Sequence, residues 1–331
     1  MTTAKDKVSA DDVHDSSLRR HLKQLELTLA STPENQAKTK GQTKRAVPAN
    51  DNQPDFFVPA VQDVPIKDGL DLMDIAVFRL AKSQTRKGDI IRHELPGVTV
   101  TVAGGAHGMA TIMDYDVVLM MVSHLADETR RHRQGRGHKP SKIFRPNSVE
   151  VFKFCRVPKG GNSYDALEDS LRRLQGTFIE ITRTNGVKRT RRTGYFPLLA
   201  GADVVSRTDS GRIATIEIII PDWIYDSVTS HENPAILTID PDYFLLKKGL
   251  ARFIYRLARK AAGNGSAIYS FTTVHARSGS TRPLKKFTSD LRKLIEADNL
   301  PGYHLKEVRG ADGPQLHMQC REVALASSDQ A

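Results

Sequence analysis

The most informative segment of this chain is residues 246–265, which read LKKGLARFIYRLARKAAGNG. Its apolar residues recur at the spacing of three and four that places them on one side of a helix, and the final Gly-Asn-Gly would end that helix. Six Lys/Arg and no acid lie between Lys247 and Lys260. Because exposed helix faces normally mix both signs of charge, this pattern favours a phosphate-contacting surface over a plain solvated face. The candidate contacts on the polar side of this helix are Lys248, Arg252, Arg256, Arg259 and Lys260.

A second basic helix is predicted from Pro283 onward, and its spacing buries Leu284, Phe287, Leu291, Leu294 and Ile295. Strand-like sequence at 303–308 and 315–320 flanks a glycine-containing turn and predicts a closing β-hairpin. A helix in the major groove reads base edges with its first turns and is held to phosphates from its flanks. We therefore expect base contacts from Arg282, Lys285, Lys286 and Ser289, and backbone contacts from Arg292 and Lys293.

The middle of the chain shows a similar order of elements. Residues 98–102 alternate as a strand does, and Asp114 is placed to cap the helix that follows it. Two more helices are predicted at 148–155 and from Ser163, the last with Leu167, Leu171 and Leu174 inward. The last of these helices mixes acids with its basic residues, so we expect it to read DNA weakly and to be a candidate for protein contacts. Its candidate DNA contacts are Ser163, Tyr164, Arg172 and Arg173.

A basic β-hairpin follows these helices. Strands at 178–183 and 187–192 flank Asn185-Gly186, the dipeptide that most readily forms a two-residue type I′ turn. The hairpin has the composition of a wing laid along a DNA groove, and an exposed basic turn is the alternative. Its candidate contacts are Arg183, Lys188, Arg189, Arg191 and Arg192. A further strand pair is predicted near Val204 and at 213–220.

Helices followed by a hairpin thus occur twice, which is the layout of a winged helix, a helix-turn-helix with a β wing. We predict an α+β fold with two tandem winged-helix domains, at 67–232 and 233–325. Residues 1–66 are polar and are predicted to form a largely disordered tail. Within this tail, leucines at helical spacing make 15–30 a candidate short helix.

Composition limits the class of protein. The 331 residues carry a formal net charge of +11, which favours polyanionic partners. Residues 1–60 hold nine Lys/Arg against eight Asp/Glu, so the excess lies in the predicted domains. No apolar run approaches a membrane span and the start lacks a signal peptide, so a cytoplasmic location is expected. Cys155 and Cys320 are too few for a disulfide framework and are expected to be buried or idle thiols.

Signatures of enzymes are lacking. The sequence has no His-x-His pair, no His-Glu-x-x-His motif and no nucleophile elbow. His124, His132 and His138 lie in a basic stretch that would repel a metal ion. We therefore expect a non-enzymatic protein with no metal and no cofactor. A tyrosine recombinase is a remote alternative that rests on Tyr255 and His275, although the apolar neighbours of Tyr255 indicate packing.

Several motifs between about Asp71 and Leu305 occur together in one known family. They are Asp71-Leu72-Met73, Ala110-Thr111-Ile112-Met113-Asp114, Tyr164-Asp165-Ala166-Leu167, Leu171-Arg172-Arg173-Leu174, Pro221-Asp222-Trp223, Asp242-Tyr243-Phe244-Leu245-Leu246, Tyr255-Arg256-Leu257-Ala258-Arg259-Lys260, Ser278-Gly279-Ser280 and Leu300-Pro301. With these motifs the chain resembles the replication initiator protein A family encoded on bacterial plasmids, whose members are tandem winged-helix proteins.

The resemblance implies a function that the residues alone do not. It implies binding to repeated sites on double-stranded DNA at a plasmid origin, opening of the adjacent duplex, and recruitment of the host initiator and the replicative helicase. It also implies autoregulation of the protein's own gene, and with it plasmid copy control, by a homodimer in equilibrium with the monomer. The second domain would make the main major-groove contact and the first would combine DNA binding with dimerisation. A winged-helix transcriptional repressor without initiator activity remains the alternative.

Overall fold

The computed structural model describes residues 67–69, 73, 75–81, 88–95, 98–185, 190–230, 234, 236–311 and 313–322. Within these ranges, seven α-helices and one 3-10 helix combine with twelve strands in four antiparallel sheets, which agrees with the predicted mixture of helices and sheets. The predicted tail at 1–66 and its candidate helix at 15–30 lie outside the described residues. No helix in the described ranges is long and apolar enough to cross a membrane.

The first part of the chain contributes most of the strands. Its elements in chain order are β1 (Lys67–Gly69), β2 (Ile90–Leu95), β3 (Val98–Ala103), α1 (Tyr115–Arg133), β4 (Ile143–Phe144), α2 (Ser148–Phe154), α3 (Gly161–Gln175), β5 (Phe178–Asn185), β6 (Thr190–Pro197), β7 (Gly201–Arg207), β8 (Ile213–Ile219) and α4 (Asp222–Thr229). The predicted strand at 98–102 and the predicted helix at 148–155 are both confirmed.

The second part repeats a simpler pattern. Its elements are β9 (Ile236–Thr238), a 3-10 helix (Pro241–Leu245), α5 (Gly249–Ala261), β10 (Ser266–Ser270), α6 (Phe271–Arg277), α7 (Leu284–Ala297), β11 (Tyr303–Gly310) and β12 (Gly313–Cys320). The two long helices and the closing hairpin agree with the sequence patterns, whereas β10 and α6 were not predicted. The prediction for Leu284 is wrong: this side chain is 41% exposed, because it stands at the first position of α7, beyond the edge of the core.

One topology occurs twice in the described residues. In the first unit, α1, β4, α2, α3, β7 and β8 occur in this order, with β5 and β6 inserted between α3 and β7, and the sheet has the order β4-β8-β7. In the second unit, α5, β10, α6, α7, β11 and β12 follow in the same way, and the sheet has the order β10-β12-β11. The hairpin of the first unit that corresponds to β11 and β12 is therefore the pair β7 and β8.

The basic hairpin of β5 and β6 has a different place from the predicted one. It lies in a separate four-stranded sheet of order β2-β3-β5-β6, because β5 also pairs with β3 and buries Ile179 there. Asn185 pairs with Thr190, so four residues separate the strands and the predicted two-residue turn at Asn185-Gly186 is wrong. In the repeated topology the strands that correspond to β11 and β12 are β7 and β8, so the topology does not support the predicted role of the β5–β6 hairpin as the wing of the first unit.

The helices of the first unit begin for identifiable reasons. At the start of α2, the side-chain oxygen of Asn147 accepts a hydrogen bond from the backbone N–H of Glu150. The carboxylate of Glu150 accepts one from the backbone N–H of Asn147, and the two bonds form a capping box. Asp114 stands at the N-cap position of α1 as predicted, but its side chain accepts no capping hydrogen bond from the described residues of the helix. Its carboxylate instead accepts hydrogen bonds from Thr111 and from the guanidinium group of Arg173. The predicted burial of Leu167, Leu171 and Leu174 on α3 is confirmed.

Buried polar contacts join the two units. β1, which precedes the first unit, pairs with β9, which precedes the second. From α5, Arg252 pairs with Asp116 at the start of α1, and Arg256 pairs with Asp68 in β1. Cys155 and Cys320 are both buried and do not form a disulfide bond with each other, in line with the expectation of buried thiols. Because the contacts are buried and bridge the units, α5 holds the second unit against the first.

Candidate nucleic-acid interface

The exposed face of α7 carries the densest group of basic residues on the second unit's helices. The opposite side of this helix is buried through Phe287, Leu291 and Leu294. Burial of these apolar side chains turns the basic side of the helix towards solvent. Residues on that face are exposed, in agreement with the helical spacing. They are Arg282, Lys285, Lys286, Ser289, Arg292 and Lys293.

Two of these arginines have carboxylate partners. Arg292 donates two hydrogen bonds to Glu307 on β11, at 2.8 Å from Nε and 2.7 Å from Nη2. The guanidinium group lowers the pKa of Glu307 and its own pKa is raised by the same contact. Arg282 pairs with Asp290 in the second turn of α7. Lys285, Lys286 and Lys293 form no ion pair with any residue that the structure describes, so these three carry the net positive charge of the face.

The hairpin of β11 and β12 places one further cation beside α7. Arg309 is exposed near the end of β11, where Gly310 pairs with Gly313 across the tip of the hairpin. The sequence analysis did not select Arg309. A basic residue next to a predicted glycine turn was the signal that could have identified it.

Arg252 and Arg256 are not on the surface. Arg252 is 2% exposed and places Nη1 at 2.6 and 2.7 Å from the two carboxylate oxygens of Asp116. Arg256 is fully buried and places Nε at 2.5 Å from Oδ2 of Asp68. The prediction that both residues face phosphate is therefore wrong. Helical spacing alone counted every arginine as a surface residue, whereas the acids that make burial tolerable lie far away in the sequence.

The surroundings of Arg256 explain how a charge is accommodated there. Its guanidinium carbon lies 4.5 Å from the centre of the Tyr115 ring and 5.0 Å from that of Phe78. The hydroxyl of Tyr115 donates to Asp68 at 3.0 Å, and burial raises the pKa of this phenol well above its ordinary value. Aromatic faces and a carboxylate thus replace water around the cation.

The remaining candidates on α5 lie nearer the surface. Lys248 is exposed immediately before the helix and has no ion-pair partner in the described ranges. Arg259 donates to the backbone carbonyl of Thr238 at 2.8 Å, and Lys260 is half-buried. Only Lys248 therefore keeps the full exposure that the sequence analysis expected of this helix.

α3 presents a largely neutralised surface. Arg172 pairs with Glu168 and Asp169 on the same helix, as its mixed composition suggested. Arg173 is half-buried and forms a two-fold hydrogen-bonded pair with Asp114, so its predicted role as a DNA contact is not supported by its geometry. The hydroxyl of Ser163 donates to Pro158, and Tyr164 packs edge-on against Phe152. The side chains of Ser163 and Tyr164 are thus held by contacts within the first unit.

The candidates on the β5–β6 hairpin are only partly within the described residues. Arg183 is half-buried on β5. Lys188 and Arg189 lie outside the described residues. Arg191 and Arg192 stand on β6, paired with Thr184 and Arg183 respectively, and the structure describes their backbone only. Their predicted contact with DNA therefore stays a prediction.

The residues on which a recombinase reading depends are packed into the fold. Tyr255 is 1% exposed, its hydroxyl accepts the amide of Asp240 at 2.6 Å, and burial raises its pKa. This position confirms the packing that its apolar neighbours indicated, and it keeps the hydroxyl away from any DNA strand. The ring of His275 packs against Phe287. Within the part of the chain that the structure describes, no three His, Cys, Asp or Glu side chains could hold a metal ion together.

Comparison with known proteins identifies the class. The family model described as Replication initiator protein A matches residues 67–305. The chain therefore belongs to the replication initiator protein A family, as its motifs indicated.

A relative and two solved structures agree with this assignment. A "Putative replication protein" of Wigglesworthia glossinidia brevipalpis is 31% identical over 258 residues, which cover 76% of this chain and 89% of the relative. Two crystal structures of domains 2 and 3 of RctB match with TM-scores of 0.52 and 0.50. Their identities are 14% and 12%, and they cover 73% and 74% of this chain and 94% and 96% of their own. At such identities the two structures indicate a shared fold.

Proposed function

We propose that this protein initiates plasmid replication by binding double-stranded DNA at the plasmid origin through two winged-helix units. In the second unit, α6 and α7 form the helix-turn-helix and β11 and β12 form the wing. In the first unit, α2 and α3 take the equivalent positions and β7 and β8 form the wing. The repeated order of helices and strands supports this proposal.

The observation that carries the DNA-binding proposal is the basic face of α7. Lys285, Lys286 and Ser289 occupy its first two turns, and Lys293 follows one turn later. A recognition helix places its early residues against base edges in the major groove, while flanking cations neutralise phosphates. Arg309 at the neighbouring wing stands where a second backbone contact would be made. The first unit, with its paired charges on α3, would contribute less to the affinity.

The initiator role is supported by membership of the replication initiator protein A family. Bound at repeated sites, the protein would help open the adjacent duplex and recruit the host initiator and the replicative helicase. The same DNA-binding surface would repress its own gene when two copies bind as a homodimer. These steps take place on plasmid DNA in the cytoplasm and require no catalytic residue.

Permanganate footprinting separates an initiator from a repressor. The purified full chain would be added to a supercoiled plasmid that carries its own origin, and reactive thymines would be mapped. An initiator protects repeated sites and makes thymines reactive in the adjacent duplex. Protection without reactive thymines would favour the repressor, and no protection would refute origin binding.

A charge-matched pair of variants serves as the control. Lys285→Ala with Lys286→Ala should remove both protection and reactivity. Arg136→Ala with Lys139→Ala also removes two positive charges, from the exposed connection between α1 and β4, and should leave both intact.

A further inference from the structure

A cavity of about 770 Å³ lies between the two units and has no role in the function proposed above. α3 of the first unit and the beginning of α5 in the second unit both contribute to its wall, and α7 contributes Phe287 and Leu294. Its volume is that of a small-molecule site, in a position between domains where such sites are common. We call it the inter-unit cavity.

Two helix N-termini open into the inter-unit cavity. Asn162 and Ser163 in the first turn of α3, and Gly249 and Leu250 in the first turn of α5, line it. Neither helix has a side-chain cap among the described residues, although the backbone N–H of Ser163 donates to the carbonyl of Gly160 at 3.0 Å. The N-terminus of a helix carries partial positive charge and presents free N–H donors, so each of these ends favours an anion.

The charges around the cavity leave an excess of positive charge. Asp114, Asp116 and Asp290 line it, and each is paired with an arginine: Arg173, Arg252 and Arg282 respectively. Lys247 and Lys248 also line it, are exposed, and form no ion pair with any described residue. The acids are therefore compensated while the two lysines are not.

Ser170 supplies an independent sign of a missing ligand. Its side chain lines the inter-unit cavity, the residue is 6% exposed, and its hydroxyl has no hydrogen-bond partner among the residues that the structure describes. Buried hydroxyl groups are almost always hydrogen-bonded, because an unsatisfied one costs free energy. A ligand oxygen in the cavity would satisfy this donor.

We propose that the inter-unit cavity binds a phosphate group. Uncapped helix N-termini from both units, two unpaired lysines and an unsatisfied hydroxyl are donors suited to phosphate oxygens. The phosphate can come from two sources: the backbone of a duplex held by both units, or a free nucleotide. Only the first source rests on the proposed DNA binding.

Two titrations of the full chain distinguish these sources. Inorganic pyrophosphate is titrated by calorimetry, and an origin duplex is titrated by fluorescence anisotropy. Two cavity variants are compared: the single variant Ser170→Ala and the double variant Lys247→Ala/Lys248→Ala. The charge control is the double variant Arg136→Ala/Lys139→Ala. If the source is a free nucleotide, the wild-type protein binds pyrophosphate, and both cavity variants bind pyrophosphate about tenfold more weakly. Their affinity for the duplex then changes no more than that of the charge control. If the source is DNA, both cavity variants weaken duplex binding by about tenfold and pyrophosphate binding is not detected.

Ser170→Ala is the decisive variant, because it removes a hydroxyl that has no partner among the described residues. Its unfolding midpoint should not fall, so a loss of binding cannot be attributed to misfolding. The proposal is overturned if Ser170→Ala and the lysine variant match wild type and the control in both titrations, or if wild type binds neither probe. A wild-type protein that binds pyrophosphate but no duplex would refute the proposed function and leave the cavity proposal supported.

Discussion

Arg256 and Asp68 lie 188 residues apart in the sequence and form an ion pair in which both side chains are fully buried. Nε lies 2.5 Å from Oδ2 and Nη2 lies 3.1 Å from Oδ1. This pair connects α5 to the strand that precedes the first unit. The arginine in the most distinctive motif of the chain therefore holds the two units together, whereas the exposed lysines of the proposed DNA-binding surface lie elsewhere, on α7.

Replacing Arg256 with alanine should destabilise the fold strongly. Removing one partner leaves Asp68 as an uncompensated buried charge, at a cost of about 3–5 kcal/mol in the free energy of unfolding. Urea denaturation would measure it. Lys286→Ala removes an exposed charge and should change the stability by less than about 0.5 kcal/mol. Equal stability of the two variants would show that Arg256 is not structural.

Gly249→Ala should also be strongly destabilising. A Cβ at this position would lie 1.7 Å from the carbonyl oxygen of Leu80, so the backbone of α5 or of the neighbouring segment would have to move. We expect a loss of about 3 kcal/mol or more in the free energy of unfolding, as for severe overpacking. Gly161 is a matched control, since it also stands at the first position of a helix and has open space around it. Thermal melts should show Gly161→Ala at or above the wild-type midpoint, and a similar drop in both variants would contradict the packing.

Lys285→Ala with Lys286→Ala should weaken binding to the origin duplex. Loss of a lysine that reads a base should weaken binding to the origin duplex by about 1–3 kcal/mol and reduce discrimination between origin and random duplex. A lysine that only contacts phosphate should cost less and weaken both duplexes equally. Competition binding with the two duplexes measures the difference. Unchanged affinity for both would remove α7 from the interface.

Stability should decrease as the pH falls below about 6.5, the ordinary pKa of histidine, partly through His317. Its side chain is 4% exposed, its Nε2 has no hydrogen-bond partner in the described ranges, and burial lowers its pKa. Below its ordinary pKa the unfolded chain takes up a proton that the folded chain resists, so protonation favours unfolding. Urea denaturation at pH 7 and at pH 5 gives the loss of unfolding free energy between the two pH values. This loss should be smaller for His317→Gln than for wild type. An identical loss would mean that His317 does not contribute.

Local patterns in the sequence predicted much of the architecture. The apolar periodicity of α5 and α7, the inward leucines of α3 and the closing hairpin follow from contacts among residues close in the chain. The strand β4 of two residues is too short to show any periodicity. The helix α6 was missed although α2, which also has seven residues, was predicted. The hairpin that corresponds to β11 and β12 was misassigned because the choice between two successive hairpins depends on pairing with β4, which is distant in sequence from both.

The candidate site was predicted less completely for a related reason. The exposed cations of α7 could be identified because its apolar stripe fixes which side faces solvent. Arg252, Arg256 and Arg173 looked equally available, yet each has an acid partner that only the folded chain brings near. Helical spacing shows which residues are basic, but whether such a residue is exposed depends on acidic partners that are distant in the sequence.

The dependence of duplex affinity on salt tests the central claim most directly. Fluorescence anisotropy at several salt concentrations gives the slope of log K against log salt, which reports the number of phosphates neutralised. For wild type we predict that log K falls steeply as log salt rises. Replacing Lys285, Lys286 or Lys293 with alanine should make this slope shallower by about 1 for each lysine that contacts a phosphate. A wild-type affinity that is indifferent to salt, or a slope unchanged by removing all three lysines, would contradict the central claim.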